Sequence, residues 1–328
     1  MTIQKVGLIL GLIVVLQADP YALGHGVQVD KALNVGGYFS TEFSVQGGEK
    51  TLAFEDLAIM AYGDVNPMFS YMTEFESIGF YQKNLTNGIE TSHRQFHAER
   101  AYGDVWLSDA YNIRFGKQIT PIGYWNREPI NVLRDMSSNP LYCSLLFPKF
   151  LTGIDINGYI PRVEGMTYHL FGQKNPDLDD EYVNIRNKHF FGLSVEKELS
   201  TEYSSGGSIG EYITLTEQRT RFLQLNAKYD DVKWQFMSEV LLAKSYYSSG
   251  DIDITFTGYA QGMFRYSAEN AILGRYEHFK DHHVGREDNI AIVGYSYRPS
   301  YPISLKGEYQ LHSLDNENRA LFSFSVLF

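Results

Sequence analysis

Strict alternation of apolar and polar residues runs through this chain up to its last residue. In the final segment, residues 322–328, four large apolar side chains share one face of an extended strand, and two serines lie on the other. The same period of two marks residues 34–43, 233–242 and 303–312. Because successive side chains of a strand point to opposite faces, the pattern predicts strands with one apolar and one polar face.

A soluble β-sandwich would alternate in the same way, but two features favour a membrane barrel. The alternating segments are longer than the usual strand of about 5–6 residues. Their polar faces carry Glu, Lys, Gln and Arg, whereas Tyr and Phe cluster near the segment ends, as in the aromatic girdles of membrane barrels. Strands that span lipid must pair every backbone amide, so they must close into a barrel. The fold class predicted is therefore an all-β, transmembrane antiparallel β-barrel.

About sixteen strands can be counted, an even number as expected for a bacterial barrel. Ser and Gly weaken the pattern between residues 199 and 218, so 14 or 18 strands also fit. The predicted strand centres lie near residues 40, 58, 74, 100, 115, 156, 169, 194, 212, 225, 238, 260, 275, 293, 308 and 324.

Composition excludes several classes of protein. The chain has 28 Lys+Arg against 39 Asp+Glu, a net charge of −11, which argues against nucleic acid as a partner. A mean hydropathy of −0.26 excludes a bundle of membrane helices. A single cysteine, Cys143, excludes an internal disulfide framework and a cysteine-rich zinc site.

Residues 1–24 are predicted to be a signal peptide. The apolar run Val6–Leu16 has 11 residues, whereas a spanning helix needs roughly 20. Small residues at Ala22 and Gly24 predict cleavage before His25, which leaves residues 25–328 as the barrel domain. The alternative is a buried N-terminal helix.

Connections of two lengths alternate along the chain, as expected for short periplasmic turns and longer extracellular loops. The turns are predicted at Asn66-Pro67, Ser108-Asp109, Pro161-Arg162, Asp230-Asp231, Glu269-Asn270 and residues 298–302. The longer loops are predicted at residues 47–51, 83–92, 125–149, 174–187, 245–251 and 280–288.

The third long loop, residues 125–149, is the candidate constriction of a water-filled lumen, because loops of this length are more often functional than idle. Folded inward, it would narrow the pore and set a local electric field. The alternative is a loop that caps the outside or packs over a neighbouring subunit. Its charged residues are Arg127, Glu128, Arg134, Asp135 and Lys149.

Alternation also assigns charged residues to the lumen wall. Acids and bases are mixed, with no dense ladder of cations, so the pattern favours a non-specific or cation-preferring pore. Lys117 reaches this face only through a β-bulge at Gly116. The wall residues predicted are Glu42, Glu74, Glu76, Arg114, Lys117, Asp155, Lys233, Glu239, Arg265, Arg275, Glu277, Lys306 and Glu308.

Two stretches, residues 99–102 (ERAY) and 111–125 (YNIRFGKQITPIGYW), resemble outer-membrane porins of Gram-negative bacteria, most closely the phosphate-selective group. The resemblance implies a 16-stranded barrel in outer-membrane lipid, usually a homotrimer, with the third loop folded inside. The C-terminal strand, with Phe324, Val326 and Phe328, is similar to the signal read by the barrel-assembly machinery. The chain is acidic and lacks a basic loop cluster, so phosphate selectivity is not implied.

We identify no catalytic residues, metal ligands or cofactor sites in the sequence. His93 and His97 have i, i+4 spacing but lie in a predicted strand, where they would be about 13 Å apart. The function predicted is passive diffusion of small hydrophilic solutes or ions across the outer membrane, without enzymatic activity. The alternatives are a barrel-borne lipase or protease using His169, His189 or His278, and a plugged structural or adhesive barrel.

Overall fold

The computed structural model describes residues 23–179, 184–281, 285–314 and 316–328, and these form a closed antiparallel β-barrel. Sixteen strands make the barrel. Two further short strands pair with it: β1 pairs with β2, and β5 pairs with β4. The strands are β1 Val27–Asp30, β2 Leu33–Gln46, β3 Glu49–Asn66, β4 Phe69–Asn84, β5 Glu90–Thr91, β6 His97–Ser108, β7 Tyr111–Ile119, β8 Phe150–Tyr159, β9 Met166–Gln173, β10 Asn187–Glu198, β11 Tyr203–Thr214, β12 Arg219–Asp230, β13 Trp234–Tyr246, β14 Ile252–Arg265, β15 Asn270–Asp281, β16 Arg286–Ser300, β17 Ile303–His312 and β18 Arg319–Leu327.

The first and last barrel strands close the cylinder. Strand β18 pairs antiparallel with β2, from Arg319 opposite Gln46 to Leu327 opposite Tyr38. Phe328 extends this ladder, because its backbone N–H and C=O exchange two 2.8 Å hydrogen bonds with Gly37. Each neighbouring pair of strands around the cylinder is antiparallel, so the backbone amides of the wall are paired within the sheet.

Each of the sixteen predicted strand centres falls within one barrel strand. Long connections occur as predicted at residues 85–96, 120–149 and 174–186, but the later connections at both ends are similarly short. The prediction of a longer loop at residues 47–51 is wrong. Gly47 and Gly48 alone separate β2 from β3, with φ of 58° and 86°. Two consecutive left-handed residues form a tight hairpin turn, and glycine adopts that conformation without steric cost.

Alternate side chains of each strand face opposite environments. On β15, Leu273, Arg275 and Glu277 point inward and are buried, whereas Ile272 and Tyr276 point outward and are about half exposed, at 51% and 54%. The same division recurs on β12, β13, β14 and β16. An outer wall of exposed large apolar side chains suits hydrocarbon rather than water.

Two short helical turns interrupt the long connection between β7 and β8. One is a 3₁₀ turn at Asn131–Leu133, and the other is the helix α1 at Leu141–Leu145. Within the described residues no helix has the length and apolar character needed to cross a bilayer. Residues 1–22 lie outside the described part of the chain, so the signal peptide remains a prediction.

Candidate functional site

Loop L3, residues 120–149, is the longest connection of the barrel, and it contacts wall strands far from the two that it joins. It is bonded most densely to Glu239 on β13. The carboxylate of Glu239 accepts hydrogen bonds from the backbone N–H groups of Tyr124 at 3.0 Å and Trp125 at 2.9 Å. The Tyr142 hydroxyl also donates to it, and burial raises the pKa of Tyr142 well above its ordinary value, so this phenol keeps its proton.

A second group of contacts joins L3 to strands β15 and β17. The Glu308 carboxylate accepts hydrogen bonds from the backbone N–H of Ser137 and, at 2.5 Å, from the Ser138 hydroxyl. The Arg275 guanidinium donates to the Ser138 carbonyl at 2.9 Å. The backbone N–H of Leu141, at the start of α1, donates to the Glu277 carboxylate at 2.9 Å. Buried charges on the wall therefore bond backbone groups of the loop that would otherwise be unsatisfied.

A third group lies nearer the short-turn end of the barrel. The Arg298 guanidinium donates to the carbonyls of Val132 at 2.5 Å and Leu133 at 3.3 Å, and it pairs with Asp135 at 3.3 Å. The ammonium of Lys306 donates to the side-chain oxygen of Asn131 at 2.6 Å. The 3₁₀ turn of L3 is thus held by two cations from adjacent strands, β16 and β17.

Apolar packing accompanies these polar contacts. From L3, the side chains of Ile122, Met136, Tyr142 and Phe147 are almost fully buried, with exposures of 0%, 0%, 1% and 1%. They pack in one cluster with inward-facing wall residues, among them Phe190, Phe222, Leu241, Leu273 and Ile292. On the opposite side, Ile130 and Val132 pack with Tyr38, Ala58 and Leu327. Both clusters lie on inward faces, where strand alternation alone predicts a polar surface.

The five charged loop residues predicted for the constriction have different partners. Arg127 pairs with Glu196 of β10, Asp135 pairs with Arg298 of β16, and Lys149 pairs with Glu99 of β6 at 3.4 Å. Arg134 bonds within L3, to the Asn139 side chain and, at 2.9 Å, to the Pro129 carbonyl. The side chain of Glu128 is exposed.

A cluster of buried acids lies where β2, β3, β4 and β6 meet. Glu74, Glu76 and Glu99 are 0%, 4% and 1% exposed. The Tyr38 hydroxyl lies 2.9 Å from a Glu76 oxygen and 3.3 Å from a Glu99 oxygen. Arg100 pairs with Glu74. Neither Glu99 nor Arg100 was predicted from the sequence to be a lumen-wall residue.

Most of the predicted wall residues lie on inward faces with an ion-pair partner or a loop contact. Glu42 pairs with Arg319, Arg114 with Asp104, Asp155 with His169, Arg265 with Asp230 and Arg275 with Glu277. Lys233 was predicted wrongly. It lies in the turn between β12 and β13, where its backbone N–H donates to Asp231 at 2.6 Å, so its position is not on a strand.

Lys117 is buried beneath the fourth long connection, residues 174–186. Its ammonium pairs with Asp177 at 3.1 Å, donates to the Asp179 carbonyl at 3.0 Å and is 0% exposed. Gly116 has a φ of 115°, but the pairing of β7 with both neighbours continues through it without a register shift, so the expected bulge is absent there. Without a bulge Lys117 shares the outward face of Phe115, so its prediction as a lumen-wall residue is wrong, and Asp177 neutralises its charge there.

The residues of the predicted assembly signal lie on the closing strand. Phe324 and Val326 point outward, and the Phe324 ring packs edge-on against Phe39 of β2 at 5.9 Å.

One group of possible metal ligands, Asp288, His312 and Glu317, lies at the long-loop end of β16 and β17. Arg286 pairs with both of its carboxylates, at 3.2 and 2.9 Å, so a guanidinium already balances one of the two negative charges.

No family model and no curated protein sequence matches the chain. Solved outer-membrane proteins match it in structure. OmpF of Salmonella typhi, in complex with daunomycin, superposes with a TM-score of 0.69 at 11% identity, covering 92% of this chain and 99% of OmpF. An anion-selective porin from Comamonas acidovorans gives 0.62 at 11%, covering 90% and 99%. The trimer form of OmpT from Vibrio cholerae gives 0.63 at 9%, covering 90% and 99%. The chain therefore shares the sixteen-stranded barrel fold of porins.

Proposed function

We propose that the protein is an outer-membrane porin, a passive channel for small hydrophilic solutes or ions. The observation that carries the proposal is the contrast between the two faces of a closed barrel. Outward side chains such as Ile272 and Tyr276 are apolar and exposed, whereas charged side chains such as Arg275 and Glu277 face inward. A charge facing lipid at mid-depth costs about 2–4 kcal/mol, so this division suits a bilayer around a polar interior.

L3 forms the constriction in this proposal, because its hydrogen bonds reach inward-facing residues of β13, β15 and β17. A loop joined to the opposite wall must cross the lumen. Solutes then pass through the part of the lumen that the loop does not fill. Its charges Arg127, Glu128, Arg134, Asp135 and Lys149, together with the wall residues, then set the field that a solute meets.

Charge balance favours cations over anions. Lys149, Arg100 and Arg319 are paired with Glu99, Glu74 and Glu42, so their charges are neutralised locally. Asp56 adds a further carboxylate to the same side of the lumen, where it accepts a hydrogen bond from the Ser40 hydroxyl at 2.6 Å. We therefore expect weak cation preference and no preference for phosphate, which separates this chain from the phosphate-selective porins that residues 99–125 resemble.

Export, assembly and oligomerisation complete the proposal. Residues 1–24 direct the chain across the inner membrane, residues 25–328 form the barrel, and the barrel-assembly machinery reads Phe324, Val326 and Phe328. We infer a homotrimer in outer-membrane lipid, supported by the trimer form recorded for OmpT of Vibrio cholerae, a protein of the same fold.

A blocked barrel is the second candidate, because L3 packs in two apolar clusters on opposite sides of the lumen. Such packing excludes water from the region that it fills. A barrel with no open path would act as a structural or adhesive protein rather than as a channel.

Conductance across a planar lipid bilayer decides between these candidates. A porin gives stable, stepwise conductance that scales with salt concentration, whereas a blocked barrel gives no steps although the protein inserts as a folded trimer or monomer. The enzymatic alternative is tested on the same preparation with ester and peptide substrates, and we expect no turnover.

A further inference from the structure

A groove of about 1040 Å³ runs along the outer wall of the barrel, across strands β8 to β12. Its apolar lining comes from outward-facing side chains: Ile154, Ile156, Leu170, Phe191, Leu193 and Ile209. Gly172 makes part of the depression. It lies between Ile154 and Phe191 on adjacent strands and carries no side chain, while the Phe191 ring leans over it. The groove opens on the outer face of the wall, and Phe171 and Phe222, which pack with L3 on the inner face, also border it.

A cluster of cations lies at one end of this groove, on the outward faces of β12 and β13. The guanidinium groups of Arg219 and Arg221 pair with the single carboxylate of Glu211, at 2.9 and 2.6 Å. Lys244 lies opposite Arg221 in the strand register, and its ammonium is 5.2 Å from the centre of the Tyr246 ring. Arg219 and Arg221 thus share one carboxylate, and with Lys244 beside them the cluster of three cations and one acid has a net charge of +2.

The groove and the cation cluster are continuous. Arg221 and Glu211 belong to the lining of the groove, and Glu211 is opposite Phe191 in the register of β10 and β11. The side chain of Arg221 is 57% exposed, its Nε donates to the Glu211 carboxylate at 2.6 Å, and its guanidinium lies 5.9 Å from the centre of the Tyr246 ring. Both features lie at the strand ends that lead into the long loops.

We propose that this outer-wall site binds an anionic glycolipid of the outer leaflet, with phosphate on the cation cluster and an acyl chain in the groove. The proposal rests on the outer-membrane orientation proposed above, in which the long loops are extracellular. A charged side chain on a lipid-facing wall is tolerated near the interface, where it costs about 0–1 kcal/mol. Arginine matches phosphate with two parallel hydrogen bonds, and a neighbouring aromatic ring holds the lysine at the headgroup level.

Native mass spectrometry of the detergent-purified, full-length mature protein tests the proposal. The probe is lipid A with two phosphates, compared with the same glycolipid after removal of its phosphates and with inorganic phosphate as a competitor. We expect retained adducts of the phosphorylated lipid alone. The double variant Arg221→Gln, Lys244→Gln should weaken its apparent affinity by about tenfold or more. The matched control is Lys280→Gln, which removes an outward cation of β15 that pairs with Glu287 at 2.8 Å and lies outside the groove.

A groove variant separates the two halves of the site. Ile209→Asn places an amide among the acyl contacts without changing any charge, and we expect it to lower lipid retention. The proposal is overturned if the double variant retains the lipid as the wild type does, or if Lys280→Gln loses as much. It is also overturned if the variants change the oligomer mass without any lipid adduct, because a second copy then covers this face.

The two proposals fail separately. Arg221 and Lys244 lie outside the lumen, so the double variant should keep the conductance steps of the wild type. Lipid retention without conductance contradicts the channel and leaves the lipid site, whereas conductance without phosphate-dependent retention contradicts the lipid site alone.

Discussion

The carboxylate of Glu239 on β13 accepts a hydrogen bond from the backbone N–H of Trp125 in L3 at 2.9 Å, across a sequence separation of 114 residues. The same carboxylate accepts hydrogen bonds from the hydroxyl of Tyr259 at 2.5 Å and from the side-chain amide of Gln224 at 3.0 Å. Two wall side chains thereby help to fix the orientation of the carboxylate that the loop contacts. One buried acid therefore holds the start of L3 against the wall.

Replacing Glu239 should free the loop. Glu239→Ala leaves two buried backbone N–H groups without acceptors, at about 1–3 kcal/mol each. We expect the temperature of irreversible heat modification on gels to fall and single-channel current to become larger and noisier. Glu269→Ala, in the exposed β14–β15 turn, is the control and should change neither quantity. Unaltered current noise in Glu239→Ala would show that L3 is not held at this point.

Cys143 reports the position of L3 directly. The thiol is 7% exposed within the apolar cluster, and burial raises its pKa well above the ordinary value, so it reacts slowly as a neutral thiol. We expect a maleimide reagent to label the folded wild type at least tenfold more slowly than the heat-unfolded chain. Labelling should accelerate in Glu239→Ala. Equal rates for native and unfolded protein would place the loop outside the barrel.

The strands and the direction of their charged side chains follow from local pattern, which explains how far sequence reasoning succeeds here. A strand has a period of two whatever its neighbours are, so Glu239, Arg275 and Glu308 could be assigned to the inward face from their own segments. The partners of L3 could not be assigned in this way. The bonds of Glu308 to Ser137 and Ser138 join residues about 170 positions apart, and no local signal encodes that pairing.

Glu99 shows a second limit. The pairing of β4 with β6 shifts register between Glu74 opposite Arg100 and Phe75 opposite Ala98, which leaves Glu99 as an extra residue in the strand. Glu99 and Arg100 therefore both bond inward-facing side chains although they are consecutive. A strict period of two would place either Glu99 or Arg100 on the lipid face. A charged side chain facing lipid is energetically costly. Two adjacent charges inside an alternating segment are the signal that could have indicated the bulge.

Ion selectivity should depend on the carboxylates of the constriction. A unit charge about 8 Å away in water attracts a cation and repels an anion by about 0.5 kcal/mol each, and salt screening reduces each energy to about 0.2 kcal/mol. The ratio of cation to anion permeability therefore changes about twofold. We therefore expect Glu128→Gln, which removes an exposed L3 carboxylate, to lower cation preference by about that factor. The measurement is the reversal potential in a salt gradient. Glu269→Gln serves as a charge-matched control, and a shift towards cations in Glu128→Gln would contradict the proposed field.

Variants of Phe328 can distinguish its role in membrane assembly from its role in closing the barrel. The backbone of Phe328 exchanges two hydrogen bonds with Gly37, and its ring packs over the space that a Gly37 side chain would fill. Phe328→Ala keeps both hydrogen bonds and removes the ring, whereas deletion of Phe328 removes both.

If the ring is part of the assembly signal, Phe328→Ala should lower the amount of folded protein in outer membranes several-fold. The same variant refolded in detergent should then keep heat stability near that of the wild type, because closure rests on the backbone ladder from Leu327 to Arg319. The deletion should lower both quantities, since two hydrogen bonds at about 0.5–1.5 kcal/mol each are lost at the barrel seam. Equal membrane yields for Phe328→Ala and wild type would restrict the role of Phe328 to closing the cylinder.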